Sequence, residues 1–184
     1  MIDEFLQYVK LLYHRGHLTL FSGNVSARDG KRIVVTPTTW PKPFLTAEDL
    51  VWIDLEGRVL RGRLRPTSEW RLHVEVYKKR PDVNAVVHTH DVLPTVLAEG
   101  IDASLLSEAE AYLGSEIAVV PYIKPGTAEL AEATASALAK SNVAVLKQHG
   151  VVAVGRSLAE AVNRVEVVAD LAKATLYKRL INCF

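Results

Sequence analysis

The sequence predicts a layered α/β domain with a mixed or antiparallel sheet, on three observations. Stretches rich in β-branched residues are joined in pairs by short Gly-bearing turns, the mark of antiparallel hairpins. Segments with apolar residues at helical spacing are interleaved with those hairpins. The interleaving is irregular, unlike the βαβα repeat of a doubly wound nucleotide fold. The chain of 184 residues reads as one unit over 1–184, with 49% apolar and 23% charged residues. Its 10 glycines and 8 prolines are dispersed, so no linker is expected.

Residues 2–15 carry Ile2, Phe5, Leu6, Val9 and Leu12 at helical spacing. In NVSARDGKRIVVT, Asp29-Gly30 reads as a two-residue hairpin turn, and Glu56-Gly57 repeats the device in VWIDLEGRVLRG. After Pro66, TSEWRLHVEVYKKR predicts a helix with Thr67 or Ser68 as N-cap and Glu69 in its first turn. NAVVHTH is a short buried strand with a polar end. Leu93 to Gly100 and Ala128 to Lys140 read as helices. VAVLKQHGVVAVG is a strand pair broken by a tight polar turn, and Leu158 to Leu180 is a long amphipathic closing helix.

Composition excludes several function classes. Twenty-two Lys and Arg against 21 Asp and Glu leave a net charge of +1, no footprint for nucleic acid or an anionic membrane. A single cysteine, Cys183, cannot form an internal bridge. Asp3 and Glu4 stand where a secretion signal would carry Lys or Arg, and no apolar run approaches the ~20 residues of a bilayer span. A cytoplasmic location is expected. GxSxG, GxxxxGKS and GxGxxG do not occur, which removes the common serine-hydrolase, P-loop and dinucleotide readings.

The chemistry concentrates on few residues. His88 and His90, at i and i+2 on a strand, point to one side and can converge on one ion. The alternative is a pair of hydrogen-bonded or solvated histidines. His149 shifts the balance towards metal, because a polar break inside two apolar strands costs stability unless it is used, and Gly150 permits the turn that aims its ring. Glu69 enters a helix beside two hydroxyls, Thr67 and Ser68, where free N–H groups and the helix dipole suit a phosphate. It offers a fourth metal ligand or a general base, against the reading as an ordinary capped helix with a dipole-matched Glu. On the local sequence alone that capped-helix reading of Glu69 is the favoured one. Ser22-Gly23-Asn24 and Thr36-Pro37-Thr38-Thr39 are polar turns that could add phosphate contacts, though singly they are turn chemistry. His73 reads as a buried or hydrogen-bonded core histidine, His14 and His17 as solvated, and Trp40, Trp52 and Trp70 as packing residues.

GNVSAR, TPTTW, PTSEW, AVVHTH, PYIKPGT and KQHGVVAVG, in this order over about residues 5–175, resemble the class II aldolase and adducin-head family. The resemblance implies a three-layer α/β/α domain with a mixed, largely antiparallel sheet. It also implies a homotetramer with sites between neighbouring subunits. It carries the zinc ligands to His88, His90 and His149, one ion per subunit, with Glu69 as acid/base and further ligand. The phosphate positions fall on Gly23, Asn24, Thr38, Thr39, Thr67 and Ser68. The implied reaction is reversible cleavage of a ketose 1-phosphate, L-fuculose 1-phosphate or a related deoxyketose phosphate, to dihydroxyacetone phosphate and an aldehyde such as L-lactaldehyde.

Three departures stand out. Thr39 replaces a usual Gly, and the stretch that should supply a tyrosine proton donor reads Leu106 to Glu110, leaving Glu108 or Tyr112 as substitutes. The chain stops at Phe184 without the long tail that covers a neighbouring site in some members, so broad aldehyde selectivity is expected. The rivals are a ribulose-5-phosphate 4-epimerase, a methylthioribulose-1-phosphate dehydratase, and a metal-free adducin-type binding module.

Overall fold

A computed structural model describes every residue except Ser115 and Phe184, so the chain end on which the expected breadth of aldehyde selectivity rests lies outside the described residues. Eight strands form one sheet in the order β4-β3-β2-β1-β5-β8-β7-β6. They are β1 (Asn24–Asp29), β2 (Arg32–Val35), β3 (Val51–Ile53), β4 (Val59–Arg61), β5 (Ala85–Thr89), β6 (Ala118–Val120), β7 (Val143–Leu146) and β8 (Gly150–Gly155). Every neighbouring pair is antiparallel except β6 with β7. The helices are α1 (Ile2–His14), α2 (Trp70–Lys79), α3 (Val92–Leu97), α4 (Ala128–Ala137) and α5 (Leu158–Ile181).

Alternation along the central strands builds a core on each side of the sheet. Val87, Val151 and Ala153 pack with Phe5 and Val9 of α1 and Val165 and Leu171 of α5. Val86, Val152 and Val154 pack with Leu72 and Val76 of α2 and Leu130 and Ala131 of α4. The result is the expected three-layer α/β/α arrangement with a mixed, largely antiparallel sheet. Thr127 and Ser157 cap α4 and α5, their hydroxyls accepting the N–H groups of Leu130 and Glu160, each at 3.2 Å.

Local readings shift in places. Asp29 pairs with Arg32, so the first hairpin turns on Gly30 and Lys31 rather than on Asp29-Gly30. The second hairpin spends residues 54–58 on its loop, because the Asp54 carboxylate accepts the N–H groups of Glu56 and Arg58 and widens the turn. α2 starts at Trp70 with Glu69 in the cap position and no side-chain cap; the Thr67 hydroxyl instead accepts the Glu69 N–H at 3.3 Å. His17 is not solvated: its Nδ1 lies 3.1 Å from both carboxylate oxygens of Asp91.

Candidate metal centre and its cleft

Register places the site. In the β1–β5 pairing Asn24 lies opposite His88, so the first residue of β1 and the polar end of β5 share one sheet edge and one face. The β7–β8 turn, residues 147–149, closes over the same edge. A Cβ on Gly150 would collide with the Thr89 carbonyl, so only glycine lets that turn come so close to β5. Gln148 holds a left-handed backbone at φ 60° and Thr39 at φ 50°; these two are the only non-glycine residues so placed among the described residues. Both adjoin candidate site residues, where sparsely populated backbone conformations tend to gather.

There the three imidazoles converge. His88 Nε2 lies 3.2 Å from His149 Nε2 and 3.1 Å from His90 Nε2. The donor atoms of His88, His90 and His149 all fall within 4.8 Å of one another. His88 Nδ1–H donates to the Val151 carbonyl at 3.0 Å, which leaves the Nε2 lone pair aimed at the other rings. Burial, and then the two neighbouring rings, drive the His88 pKa well below its ordinary value. Burial lowers His149 to about 4, and also lowers His90. With its Nε2 lone pair free and both neighbouring rings kept neutral, His88 can share one cation with His90 and His149. A tetrahedral ion bound at about 2.0–2.1 Å would hold its nitrogens about 3.3 Å apart, close to the spacing here. The residues therefore fit a divalent metal ion.

The cluster opens into a cleft of about 310 Å³ lined by His90, His149, Glu69, Asn24, Thr38 and Ser68, with Gly23, Thr39 and Thr67 also in its wall. Structure thus brings all the sequence-predicted phosphate positions to one cavity with His90 and His149, while His88 lies fully buried behind them. Glu69 borders it without joining the group of converging histidine donors. Burial raises the Glu69 pKa, partly offset by the Gly126 N–H donating to its carboxylate. A carboxyl held towards its neutral form beside a metal centre is suited to proton transfer.

Glu108 and Tyr112 do not reach the cleft of this chain. Glu108 lies in a groove with Val167 and Tyr177 of α5, and Tyr112, 49% exposed, in another with Arg156 and Arg164. Lys42 is the residue that sequence reasoning missed. It lies in the cleft wall, 1% exposed. A lysine inside WPKPF carries no signal of burial, since lysines are nearly always solvated.

Behind the cleft runs a buried relay. The Tyr77 hydroxyl and Ser26 Oγ share a hydrogen bond at 2.8 Å, in which Tyr77 donates because the Ser26 hydrogen goes to His73. Ser26 in turn donates to His73 Nδ1 at 2.6 Å, and His73 Nε2–H donates to the Asn24 carbonyl oxygen. This direction leaves the Asn24 amide N–H groups facing the cleft. Burial pushes the His73 pKa down to about 3, keeping the ring neutral, as a core histidine should be.

Comparison with known proteins gives a consistent picture. The pattern described as Class II Aldolase and Adducin N-terminal domain matches residues 3–176. An L-fuculose phosphate aldolase of Methanocaldococcus jannaschii is 37% identical over 179 residues, 97% of each chain. The L-fuculose phosphate aldolase of Escherichia coli is 38% identical over 182 residues, 96% of this chain and 82% of that one. The crystal structure of L-fuculose-1-phosphate aldolase from Thermus thermophilus superposes with a TM-score of 0.85 at 29% identity, covering 98% of this chain and 95% of that one.

Proposed function

The chain belongs to the class II aldolase and adducin N-terminal domain family and is a class II aldolase, a lyase; from this we propose a zinc-dependent enzyme that reversibly cleaves a ketose 1-phosphate. The substrate is L-fuculose 1-phosphate or a related deoxyketose phosphate, and the products are dihydroxyacetone phosphate and an aldehyde such as L-lactaldehyde. The observation that carries this reading is the convergence of three imidazole Nε2 atoms on a cleft that holds a buried carboxyl and small hydrogen-bond donors. An adducin-type module without metal chemistry would have no use for that convergence.

His88, His90 and His149 would hold one zinc ion per subunit. When bound, it supplies Lewis-acid stabilisation of the negative charge that develops at the substrate carbonyl oxygen. Asn24, Thr38 and Ser68, with Gly23, Thr39 and Thr67, orient the substrate by its phosphate, fixing which carbon faces Glu69. In cleavage the bond between C3 and C4 breaks, C4 becomes the aldehyde after its hydroxyl loses a proton, and Glu69 delivers a proton to C3. In synthesis Glu69 removes that same proton.

The C4 hydroxyl needs its own proton acceptor. Glu108 and Tyr112, remote from this chain's cleft, take that role only across an interface, as in the homotetramer proposed here. Exposed Phe21, Val92 and Val96, near the cleft and the end of β5, are consistent with such a contact. No helix among the described residues is long and apolar enough to cross a membrane, which accords with the cytoplasmic location proposed.

Incubation with dihydroxyacetone phosphate and L-lactaldehyde should yield a ketose phosphate, in protein that contains about one zinc per subunit. If none forms while ribulose 5-phosphate is epimerised, or methylthioribulose 1-phosphate is dehydrated, the aldolase assignment gives way to that reaction. Fully folded protein that never retains zinc would favour the binding module.

A further inference from the structure

Lys42 is a buried charge without a counter-ion. No carboxylate lies within ion-pair distance of its ammonium among the described residues, and only two backbone carbonyls meet it, those of Phe21 and Trp40, each at 3.3 Å. Both bonds are long for an ammonium donor. Burial alone lowers its pKa to about 8, the response of a cation that has lost water and gained little in return. A site of this kind gains from an anion.

Placement identifies the anion. Phe21 stands two residues before Gly23, and Trp40 directly follows Thr39, so Lys42 Nζ bridges the two loops that carry Gly23, Asn24, Thr38 and Thr39. The Lys42 N–H also donates to the Leu20 carbonyl at 3.0 Å, fixing its backbone to the first of those loops. Lys42 is the only lysine or arginine among the residues lining the cleft. Arg65 and Arg71 line an adjoining groove that shares Thr38, Thr67 and Ser68, but both are exposed, and water screens their charge.

Resting on the phosphorylated-substrate reading above, we propose that Lys42 is the cation of the phosphate subsite, pairing with the substrate's phosphate and making the enzyme select a phosphorylated over an unphosphorylated ketose. The surrounding amide and hydroxyl groups are neutral. Without Lys42 they would have to hold a dianion by hydrogen bonds alone. A charge-assisted bond from a buried ammonium shifts affinity by roughly 10- to 100-fold.

The test uses the zinc-loaded protein with Lys42→Met and Lys42→Arg. Calorimetric titration with inorganic phosphate should show Lys42→Met binding roughly 10- to 100-fold more weakly and Lys42→Arg retaining most of the affinity. In the synthesis assay Lys42→Met should raise KM for dihydroxyacetone phosphate by the same factor. Its kcat should change little, and so should turnover of unphosphorylated dihydroxyacetone. Phosphate affinity unchanged in Lys42→Met would overturn the proposal. So would equal losses for the phosphorylated and unphosphorylated substrates, which would mean that Lys42 only ties the loops. A loss of affinity in Arg65→Gln or Arg71→Gln but not in Lys42→Met would assign the charge to the outer groove instead. Should Lys42→Met fail to fold, the 15N resonance of Lys42 Nζ in the unaltered protein must move on phosphate titration, and its failure to move refutes the idea. Calorimetry needs no turnover, so a failure of the aldolase assignment and a failure of Lys42 are read separately.

Discussion

His73 and His88 stand on the same side of the sheet, both without exposed surface. At His73 both ring nitrogens are spoken for, by Ser26 and Asn24, and the ring closes a hydrogen-bond relay. At His88 one nitrogen is committed to a backbone carbonyl while the other faces two more imidazoles. Burial makes both rings neutral; only the second arrangement leaves a ring nitrogen whose partners are other imidazole nitrogens alone. The difference teaches that burial of a histidine is not the mark of a metal ligand. The mark is a ring nitrogen left free of other protein partners and aimed at further imidazole nitrogens, the arrangement in which several neutral rings can share one cation.

The sharpest way to break this comparison is to remove rings from each side. Replacing His88, His90 or His149 by Ala should abolish zinc binding and lower aldol turnover by at least about 10³-fold. His73→Phe should keep about one zinc per subunit by elemental analysis. Loss of zinc in His73→Phe, or retention in His90→Ala, would erase the distinction. A smaller but still large effect separates metal from proton transfer: Glu69→Gln should retain zinc and lose about 10²–10⁴-fold in turnover. Full activity in that variant would remove Glu69 as the acid/base.

How legible each region was follows from the range of the interactions that build it. The histidine cluster could be read because its parts are local signals: an i, i+2 pair on an apolar strand, and a polar break with Gly150 between two others. Register then brings them together, as sheet periodicity requires. The interleaved hairpins and helices likewise disclosed the layered fold. Lys42 could not be read, because its burial arises only where the Leu20–Phe21 and Thr39–Trp40 segments meet around it. His17 was misjudged for the same reason, its partner Asp91 lying 74 residues away. Glu108 and Tyr112 come from family correspondence alone, and the chain places both against α5, away from the cleft.

Acid sharpens the comparison further. His73 has a folded pKa of about 3 against about 6.5 in the unfolded chain, so the unfolded state takes up a proton that the folded ring refuses. Its contribution is therefore intact above pH 6.5 and lost progressively as pH falls from 6.5 towards 3. By pH 5 this one ring should account for about 2 kcal/mol of lost stability. Urea unfolding of metal-free protein at pH 7 and pH 5 should show the fall, and His73→Phe should remove about that share of it. An unchanged pH dependence in the variant would mean that His73 is not the neutral buried ring described here.

The smallest effect asks what the relay is for. If His73 serves only to fill the core, His73→Phe should change stability and leave catalysis alone. The hydrogen-bond direction says more, because the His73 Nε2–H fixes the Asn24 carbonyl oxygen inward and so turns the amide N–H groups to the cleft. Without that donor the amide can flip and present an acceptor to the phosphate, losing one hydrogen bond and gaining a repulsion. His73→Phe should then raise KM for the phosphorylated substrate about tenfold, the equivalent of ~1.4 kcal/mol, with kcat nearly unchanged. His73→Gln, whose amide can still donate to Asn24, should recover part of that loss. A change in kcat with KM unmoved would place the relay on the metal side of the site instead, joining the two histidine environments that the structure holds apart.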